Sequence, residues 1–432
     1  MKLKKLILPV GLAVAVLVSL GMSGMLWTNP AHSNLNDSTK PGNSNDNATN
    51  ASFREVNLPN QIIYTDKAGN QSLLSNSETN LAAEFQGLLG TFSTRQVATV
   101  SNHSETPYFD QLNRKNSVVL DLGNVINSQY FKSVYNQKFR ISNRNFNRVQ
   151  LLTNDSAHIY LLNDSTKQVS RVTVTGNSQS KLNDILTEPR VATQVEFRNW
   201  HGRPLVYYPK KTTMKVYSYQ ATQQSESYYA NRIMTTNTNS NMQVKKHKTS
   251  TTYDDRGFRH MVVNRNDGTV TFTNYDSQTG SSSFLTMMQR AYSQMVMVGI
   301  PLDNVRLYSY DAKQHQIIFR TYVEGMPVFN QTGFGAVRTK ILGQDSYRMN
   351  FSLASLQVPI PPSTQTTTVM STTELLAKLA ALGISAKKID DIQLGYHWTW
   401  DKTLKKVVNL VPTWYVSINH QWNRYDTLVN GQ

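Results

Sequence analysis

The sequence predicts an α+β protein: one N-terminal transmembrane helix, then a three-unit extracytoplasmic region of helices packed on antiparallel sheets. Three observations predict it. Residues 6–27 form one uncharged, mainly apolar run preceded by Lys2, Lys4 and Lys5. Beyond them, short apolar segments alternate with polar turns, as in antiparallel sheets. A helix followed by an antiparallel meander is read twice, so the last two units are expected to be similar to each other.

The apolar run sets the topology. At ~1.5 Å per residue, residues 6–27 reach about 33 Å, enough for a hydrocarbon core of ~30 Å. The lysines within residues 1–5 place the N-terminus in the cytoplasm and the large C-terminal region outside the cell. Trp27 then falls at the outer interface, where an indole is favoured. A cleaved signal peptide usually carries an apolar region of only ~7–15 residues, so 6–27 reads as a signal anchor. Gly11, Ala15, Ser19 and Ser23 recur every four residues along it. Small residues let helix backbones approach closely in lipid, so the stripe reads as a docking face for another transmembrane helix. The bland reading is that small residues are common in such segments.

Residues 28–55 are rich in Ser, Asn and Asp, with Pro41 and Gly42, and read as a flexible tether. The first unit, 56–192, is expected to hold a strand at 61–64 and a helix at 78–89 stopped by Gly90. A strand at 118–122 leads into a short helix through Tyr130, Phe131 and Val134. Segments 158–162 and 169–174 flank an Asn-Asp-Ser-Thr turn and read as a hairpin. The second unit, 193–332, has Asn266-Asp267-Gly268 between 256–263 and 269–274, a strong hairpin signal. Its helix, 284–298, shows Phe284, Met288, Tyr292 and Met295 on one apolar face and ends at Gly299. The third unit, 333–432, opens its helix with a capping box, Ser371 to Glu374, and closes it at Gly383. The meanders are read at 305–310, 316–323 and 326–329, and again at 392–400, 407–411 and 414–418.

Composition narrows function. A chain of 432 residues exceeds one domain of ~100–200, and 39% hydrophobic with 10% aromatic residues is globular composition. With no cysteine, disulfides, thiolate metal sites and cysteine nucleophiles are excluded. The formal net charge of +16 favours anionic neighbours, but the anchor argues against nucleic acid. The pairs Lys210-Lys211, Lys245-Lys246, Lys387-Lys388 and Lys405-Lys406 are scattered and read first as solvated surface. Weak, salt-dependent contact with anionic wall polymer or lipid headgroups is the functional alternative.

No pattern of an enzyme is present. None of the nine histidines has the paired helical spacing of zinc peptidases, and no nucleophile elbow or phosphate-cradling glycine loop occurs. Asp254-Asp255 and Asp390-Asp391 are neighbours in sequence, point different ways, and read as surface acids. His201, beside Trp200 and Arg203, reads as a structural or exposed histidine. No catalytic, cofactor-binding or metal-ligating residue is named.

Several segments, in this order, resemble the YycH family: 26–30 at the end of the anchor, 118–135, 204–209 before 216–219, 320–329, and 412–416. The resemblance implies a non-catalytic, membrane-anchored accessory protein of the WalK/WalR (YycG/YycF) two-component system in low-GC Gram-positive bacteria. It implies three extracytoplasmic domains, the later ones similar to those of a partner, YycI. It further implies association with the WalK sensor histidine kinase and with a YycI-like membrane protein through transmembrane helices, and thereby control of cell-wall metabolism. The competing expectation is an extracytoplasmic binding protein for anionic wall polymer or lipid headgroups.

Overall fold

Alternating apolar residues and glycine-bearing turns build two large sheets in the computed structural model. It describes residues 51–430 except 77–78, 177, 188–189, 235–241, 276–282, 330–334, 344–345 and 362–364. The expected anchor, the cytoplasmic residues before it and tether residues 28–50 lie outside these. Among the described residues no helix is long and apolar enough to cross a membrane.

The first sheet is assembled from β1 (Gln61–Thr65), β2 (Gln71–Ser75), β3 (Ser93–Ser101), β4 (Ser117–Asn127) and β5 (Asn145–Leu152). It continues through β6 (Asp155–Asn163), β7 (Gln168–Thr175), β8 (Val191–Trp200) and β9 (Arg203–Tyr207). Its order is β3-β7-β6-β5-β4-β1-β2-β8-β9. Helices α1 (Leu81–Thr91), α2 (Glu105–Leu112), α3 (Ser128–Val134) and α4 (Gln179–Thr187) are interspersed. Neighbours in a strand point to opposite faces, and here both faces are apolar: Ile62 and Ile63, like Val118 and Val119, are all buried. Ile62 and Val118 belong to one hydrophobic cluster, Ile63 and Val119 to another.

The rest of the chain supplies the two covers. It contributes β10 (Thr212–Lys215), β11 (Tyr217–Gln223), α5 (Glu226–Met234), β12 (Gln243–Lys246), β13 (Ser250–Asp254), β14 (Arg259–Asn264) and β15 (Thr269–Tyr275). Next come α6 (Phe284–Val298), β16 (Val305–Asp311), β17 (Gln316–Val323), β18 (Met326–Phe329), β19 (Val337–Ile341) and β20 (Ser346–Ser352). The chain ends with β21 (Ala354–Pro359), β22 (Thr366–Val369), α7 (Thr372–Ala381), β23 (Ile389–Trp400), β24 (Val407–Ile418), β25 (Gln421–Arg424) and α8 (Tyr425–Asn430). Strands β10 and β22 pair by themselves, and the others form a second sheet, β12-β13-β14-β15-β20-β19-β17-β18-β23-β24-β11-β21, with β16 on β17 and β25 on β24.

One short joint holds the two halves of that sheet together. Strands β18 and β23 run parallel and pair only through Val328–Tyr396 and Phe329–His397. They can approach because of Gly395, where a Cβ would stand 2.7 Å from Pro327 O and 2.9 Å from Phe329 Cε2. Segment 51–60 is in turn fastened to the half carrying α6. Tyr292 Oη donates to Ala51 O at 2.9 Å, Phe53 packs edge-on to Tyr292, and Arg306 Nη1 donates to Pro59 O at 2.7 Å.

Most sequence expectations land on these elements, with informative differences. The helix α1 starts after Asn80, whose Oδ1 accepts from Ala83 N at 3.3 Å. It runs through Gly90, which keeps a helical conformation, and ends where Phe92 becomes extended. On α6, Met288, Ala291, Met295 and Val298 are buried, whereas Phe284 and Tyr292 flank them half-buried. Gly299 ends α6 with φ +79°, a conformation that favours glycine. Half of the capping box forms: Ser371 Oγ accepts from Glu374 N at 3.2 Å, while the Glu374 carboxylate faces Lys211 and Lys378.

Both meanders follow their helices, α6 to β16-β17-β18 and α7 to β23-β24-β25. The two segments expected at 407–411 and 414–418 are one strand, β24, and the third strand is β25. Pro412 is tolerated because β11 pairs with β24 only as far as Leu410 and β25 joins at Tyr415. Its missing N–H therefore faces an unpaired stretch of edge.

Sheet membership also crosses the expected unit boundaries. The boundary at 192/193 falls inside β8, which pairs with β2, while β11 pairs with β24 and β19–β20 pair within the α6 half.

The joint generates a test. Gly395→Ala should lower stability by about 1–3 kcal/mol in urea unfolding, because the neighbouring backbone cannot move aside. Gly87→Ala, inside α1 where an added Cβ would meet nothing within 4 Å, should be neutral or stabilising by up to about 1 kcal/mol.

Candidate functional site

Three strand irregularities converge on one cleft of about 1010 Å³ between the first sheet and the two meanders. Strand β4 carries extra residues between Asp121 and Ile126, β16 shifts register between Leu307 and Ser309, and β23 between Ile389 and Asp391. Bulges re-aim side chains and are common beside functional sites. Here they turn Gly123 and Asn124, Tyr308, and Asp390 to the cleft wall. The β4 bulge is also the bridge to β16. Asn124 Oδ1 accepts from Tyr310 N at 2.6 Å, and Asn60 Nδ2 donates to Leu307 O at 3.0 Å. Gly123, at φ +75°, lies so close to Asn60 that an added Cβ would meet its Nδ2 at 2.1 Å.

At one end of the cleft a buried arginine is held by two carboxylates. Arg148 faces Asp121 directly across the β4–β5 ladder, with Nη1 2.9 Å from Oδ2. Its Nε and Nη2 each donate to Asp164 at 2.9 Å, from the turn joining β6 and β7. Tyr108 of α2 donates its hydroxyl to Asp164 as well. Burial pushes the Asp164 carboxyl up, but the Arg148 charge and hydrogen bonds outweigh it and hold the group below its ordinary value. Asp121 goes the other way: burial outweighs Arg148, and its carboxyl is raised. Burial likewise raises the Tyr108 hydroxyl, and the Asp164 charge adds to it.

The opposite rim is a two-residue hairpin. His201 and Gly202 both have positive φ, +51° and +79°, as the tight turn between Trp200 and Arg203 requires. The turn rests on the start of β23: Trp200 Nε1 donates to Ile389 O at 3.1 Å, and His201 Nε2 lies 3.2 Å from Ala386 O.

Asp390 and Asp391 do point apart, as adjacent strand residues should. Asp390 Oδ2 accepts from His420 N at 2.6 Å and from Ser417 Oγ at 3.3 Å. Asp391 opens to the cleft, and its Oδ1 accepts from Ile392 N at 2.8 Å. The crowding cleft walls raise its carboxyl to about 6; Arg203 draws it back down, while Asp121 and Asp390 push it up. Asp391 and His201 are both exposed, as the sequence reading has them, and both also line the mouth of the cleft. A His-Gly pair between alternating residues was the available signal for the rim hairpin. Asp254 and Asp255 are turn acids, accepting from the backbone N–H groups of Arg256 and of Gly257 and Arg259.

Gly11, Ala15, Ser19, Ser23, Lys2, Lys4, Lys5 and Trp27 lie outside the described residues. Among the described residues no three His, Asp or Glu side chains are grouped to hold a metal ion. The cleft combines hydrogen-bonding groups, carboxylates and aromatic rings, an arrangement suited to binding a polar ligand.

Comparison with known proteins places this architecture. The family model of the YycH protein C-terminal domain matches residues 205–431, more than half of the chain. The fold is similar to the crystal structure of YycH from Bacillus subtilis, with a TM-score of 0.68 at 16% identity. That likeness covers 87% of this chain and 98% of the other. An uncharacterized protein from Eubacterium rectale aligns over 51% of this chain and 86% of its own at 12% identity. Its TM-score of 0.29 carries no argument. No curated protein sequence matches.

The electrostatics give two expected outcomes. Arg148→Met leaves two buried carboxylates without their cation and should cost about 3–5 kcal/mol in urea unfolding. The Asp164 contribution is present above its unfolded value and lost as pH falls through its lowered folded value. Asp391 has the opposite sign. Between its ordinary 3.8 and about 6 the folded chain holds a proton that the unfolded chain has released. Stability contributed by this group therefore falls as pH rises across that window, and Asp391→Asn should remove that part of the slope in a pH series of unfolding curves.

Proposed function

The chain belongs to the YycH family, and from that premise we propose that it is a non-catalytic, membrane-anchored accessory protein tuning a WalK-type sensor histidine kinase. The family match over 205–431 carries this reading. The finer picture is that residues 6–27 anchor the chain as a single-pass helix, with the domain of β1–β25 outside the cell. The face of Gly11, Ala15, Ser19 and Ser23 packs against kinase helices, and a YycI-like membrane protein joins the assembly. A regulator of this kind must bind two kinase states with different affinity, since equal affinity would shift no balance. The output is control of cell-wall metabolism.

The basic residues give the wall-polymer alternative little support. Lys245 and Lys246 lie on the edge strand β12, Lys405 and Lys406 in the β23–β24 turn, and Lys387 and Lys388 in a turn before β23. Lysines on an edge strand are a usual guard against unwanted strand pairing.

The test is co-purification from native membranes of the tagged full-length chain and of a Gly11→Leu, Ala15→Leu, Ser19→Leu variant at equal expression. Wild type should retain a sensor kinase and a YycI-like protein, and the variant should lose the kinase. If neither form retains a kinase, the regulatory reading is wrong.

A further inference from the structure

The outer face of the α6 half ends in a row of apolar side chains, with a row of cations behind it. Ladder register sets Tyr275 of β15 opposite Ser346 of β20. Backbone bonds extend that row on both sides: Tyr275 N donates to Phe258 O at 2.8 Å, and Leu342 N donates to Ser346 O at 2.8 Å. Phe258, Tyr275 and Leu342 are 58%, 51% and 42% exposed. Apolar residues scattered singly over a surface are ordinary. These three share one row, from the β13–β14 connection, the end of β15 and the residue just past β19, and together leave a continuous apolar margin in solvent.

The next row along the same face is charged. Two residues inward on each strand, a step of about 7 Å, the ladder pairs His260 with Thr273, Thr273 with Arg348, and Arg348 with Lys340. Arg348 and Lys340 are exposed and directly opposite each other, an arrangement that repels. Arg338, two residues beyond Lys340, shares in this: burial and the Arg348 charge hold its guanidinium below its ordinary value. Asp254 ends the row beyond His260, where His260 and the Arg256 N–H take up its carboxylate. Strands β14, β15, β17, β19 and β20 themselves contain no acidic residue.

An apolar margin backed by cations at this spacing has the profile of a lipid surface. Interfacial elements bury their apolar side about 5–10 Å into the headgroup and acyl boundary, and basic residues are drawn to the anionic headgroups. The path of the chain points the same way. Residues 28–50, between the proposed anchor and the folded part, can span at most about 80 Å at ~3.6 Å each. The first described residue, Ala51, is held on α6 by the Tyr292 hydroxyl, so the tether ends on the half that carries the apolar row.

We propose that this end of the α6 half lies on the lipid bilayer. Phe258, Tyr275 and Leu342 reach the acyl boundary, and Arg348 and Lys340 lie level with the lipid phosphates. The contact rests on the anchoring by residues 6–27 and is independent of any contact with a kinase.

The chain has no cysteine, so Leu342→Cys gives the full-length protein a single point for a fluorescent label. Val100→Cys, on β3 where Val100 is 55% exposed, supplies the reference. Each labelled chain is placed in nanodiscs of phosphatidylcholine with a minority of phosphatidylglycerol. A nitroxide on the lipid chains should quench the label at 342 at least about threefold more strongly than the label at 100. Phe258→Ser with Tyr275→Ser should bring quenching at 342 down to the reference level, and Lys340→Gln with Arg348→Gln should lower it severalfold. Discs of phosphatidylcholine alone read the net charge of this end, including Asp276 and Asp345, which lie outside the described residues, and should also weaken the signal. If neither the cation variant nor the neutral discs change it, the apolar contact stands and the role given to the cations is overturned. Co-elution of chain and disc reports the anchor separately. A chain in the disc whose label stays in water overturns the lipid contact and spares the anchor; a chain that never enters the disc overturns both. Equal quenching at 342 and 100, or no loss in the Phe258→Ser, Tyr275→Ser variant, overturns the contact. So does protection of 342 from both lipid-borne and aqueous quenchers as protein concentration rises, which marks a second copy on the apolar row.

Discussion

A sheet that is apolar on both faces must be covered twice, and the rest of this molecule answers to that need. Ile62 and Ile63, or Val118 and Val119, sit side by side in sequence and are buried in different hydrophobic clusters. One cluster runs on into the helices α1 and α3 and the half of the second sheet that carries α6. The other runs through α2 into the half that carries α7, with Trp414, Tyr396 and Leu410. The two helix-and-meander modules are therefore more than a repeated motif. Each closes one side of the same sheet, and at about 25 cal/mol per Å² of apolar surface both sides have to be closed for the sheet to be stable.

The polar cleft arises where this covering meets its limit. A flat strand would carry its ladder straight past the meanders, but β4, β16 and β23 each break register at the point where they meet. The extra residues free backbone groups for cross-links such as Asn124 to Tyr310, and they turn polar side chains toward a space that apolar packing does not fill. Arg148 belongs to the same logic. A charge on a strand otherwise buried on both faces is tolerable because Asp121 sits opposite it in the ladder and Asp164 returns to it through the β6–β7 turn. The pair and its third partner thus fix the geometry of one part of the cleft, while Asp391, on another part of the wall, has Arg203 drawing on it.

The sequence made the regular parts legible and the cleft hardly at all. Asn266-Asp267-Gly268 marks its hairpin because only a few residue types accept the backbone angles of that turn. Met288 and Met295 mark α6 because a helix repeats its face every three to four residues. The partners of Arg148 are hidden for a different reason: Asp121 and Asp164 are far along the chain, and only sheet register brings them together. Asp390 and Asp391 show the boundary between the two. Their adjacency correctly implies divergent side chains, but that both stand at a cleft depends on a bulge that no local pattern announces. The rim hairpin at His201-Gly202 stood nearer to recognition, since a histidine with positive φ followed by glycine is a two-residue turn in waiting.

The fastening of segment 51–60 has a mechanical meaning. Any tension along the residues that precede Ala51 reaches the folded part first at the Tyr292 and Phe53 contacts, and later at the Arg306–Pro59 bond. Those are side-chain contacts to α6 and β16, not ladder bonds of the first sheet. The same segment is tied to α1 and α3 as well, by Gln86 Nε2 donating to Arg54 O, Phe53 packing on Tyr130, and the Tyr130 and Tyr135 hydroxyls donating to Asn57, so the load divides between both sides before β1 is reached. A lateral displacement of the residues before Ala51 would thus be felt together in the α6 half and in α1 and α3, and only afterwards, through the short joint at Gly395, in the half that closes the other side.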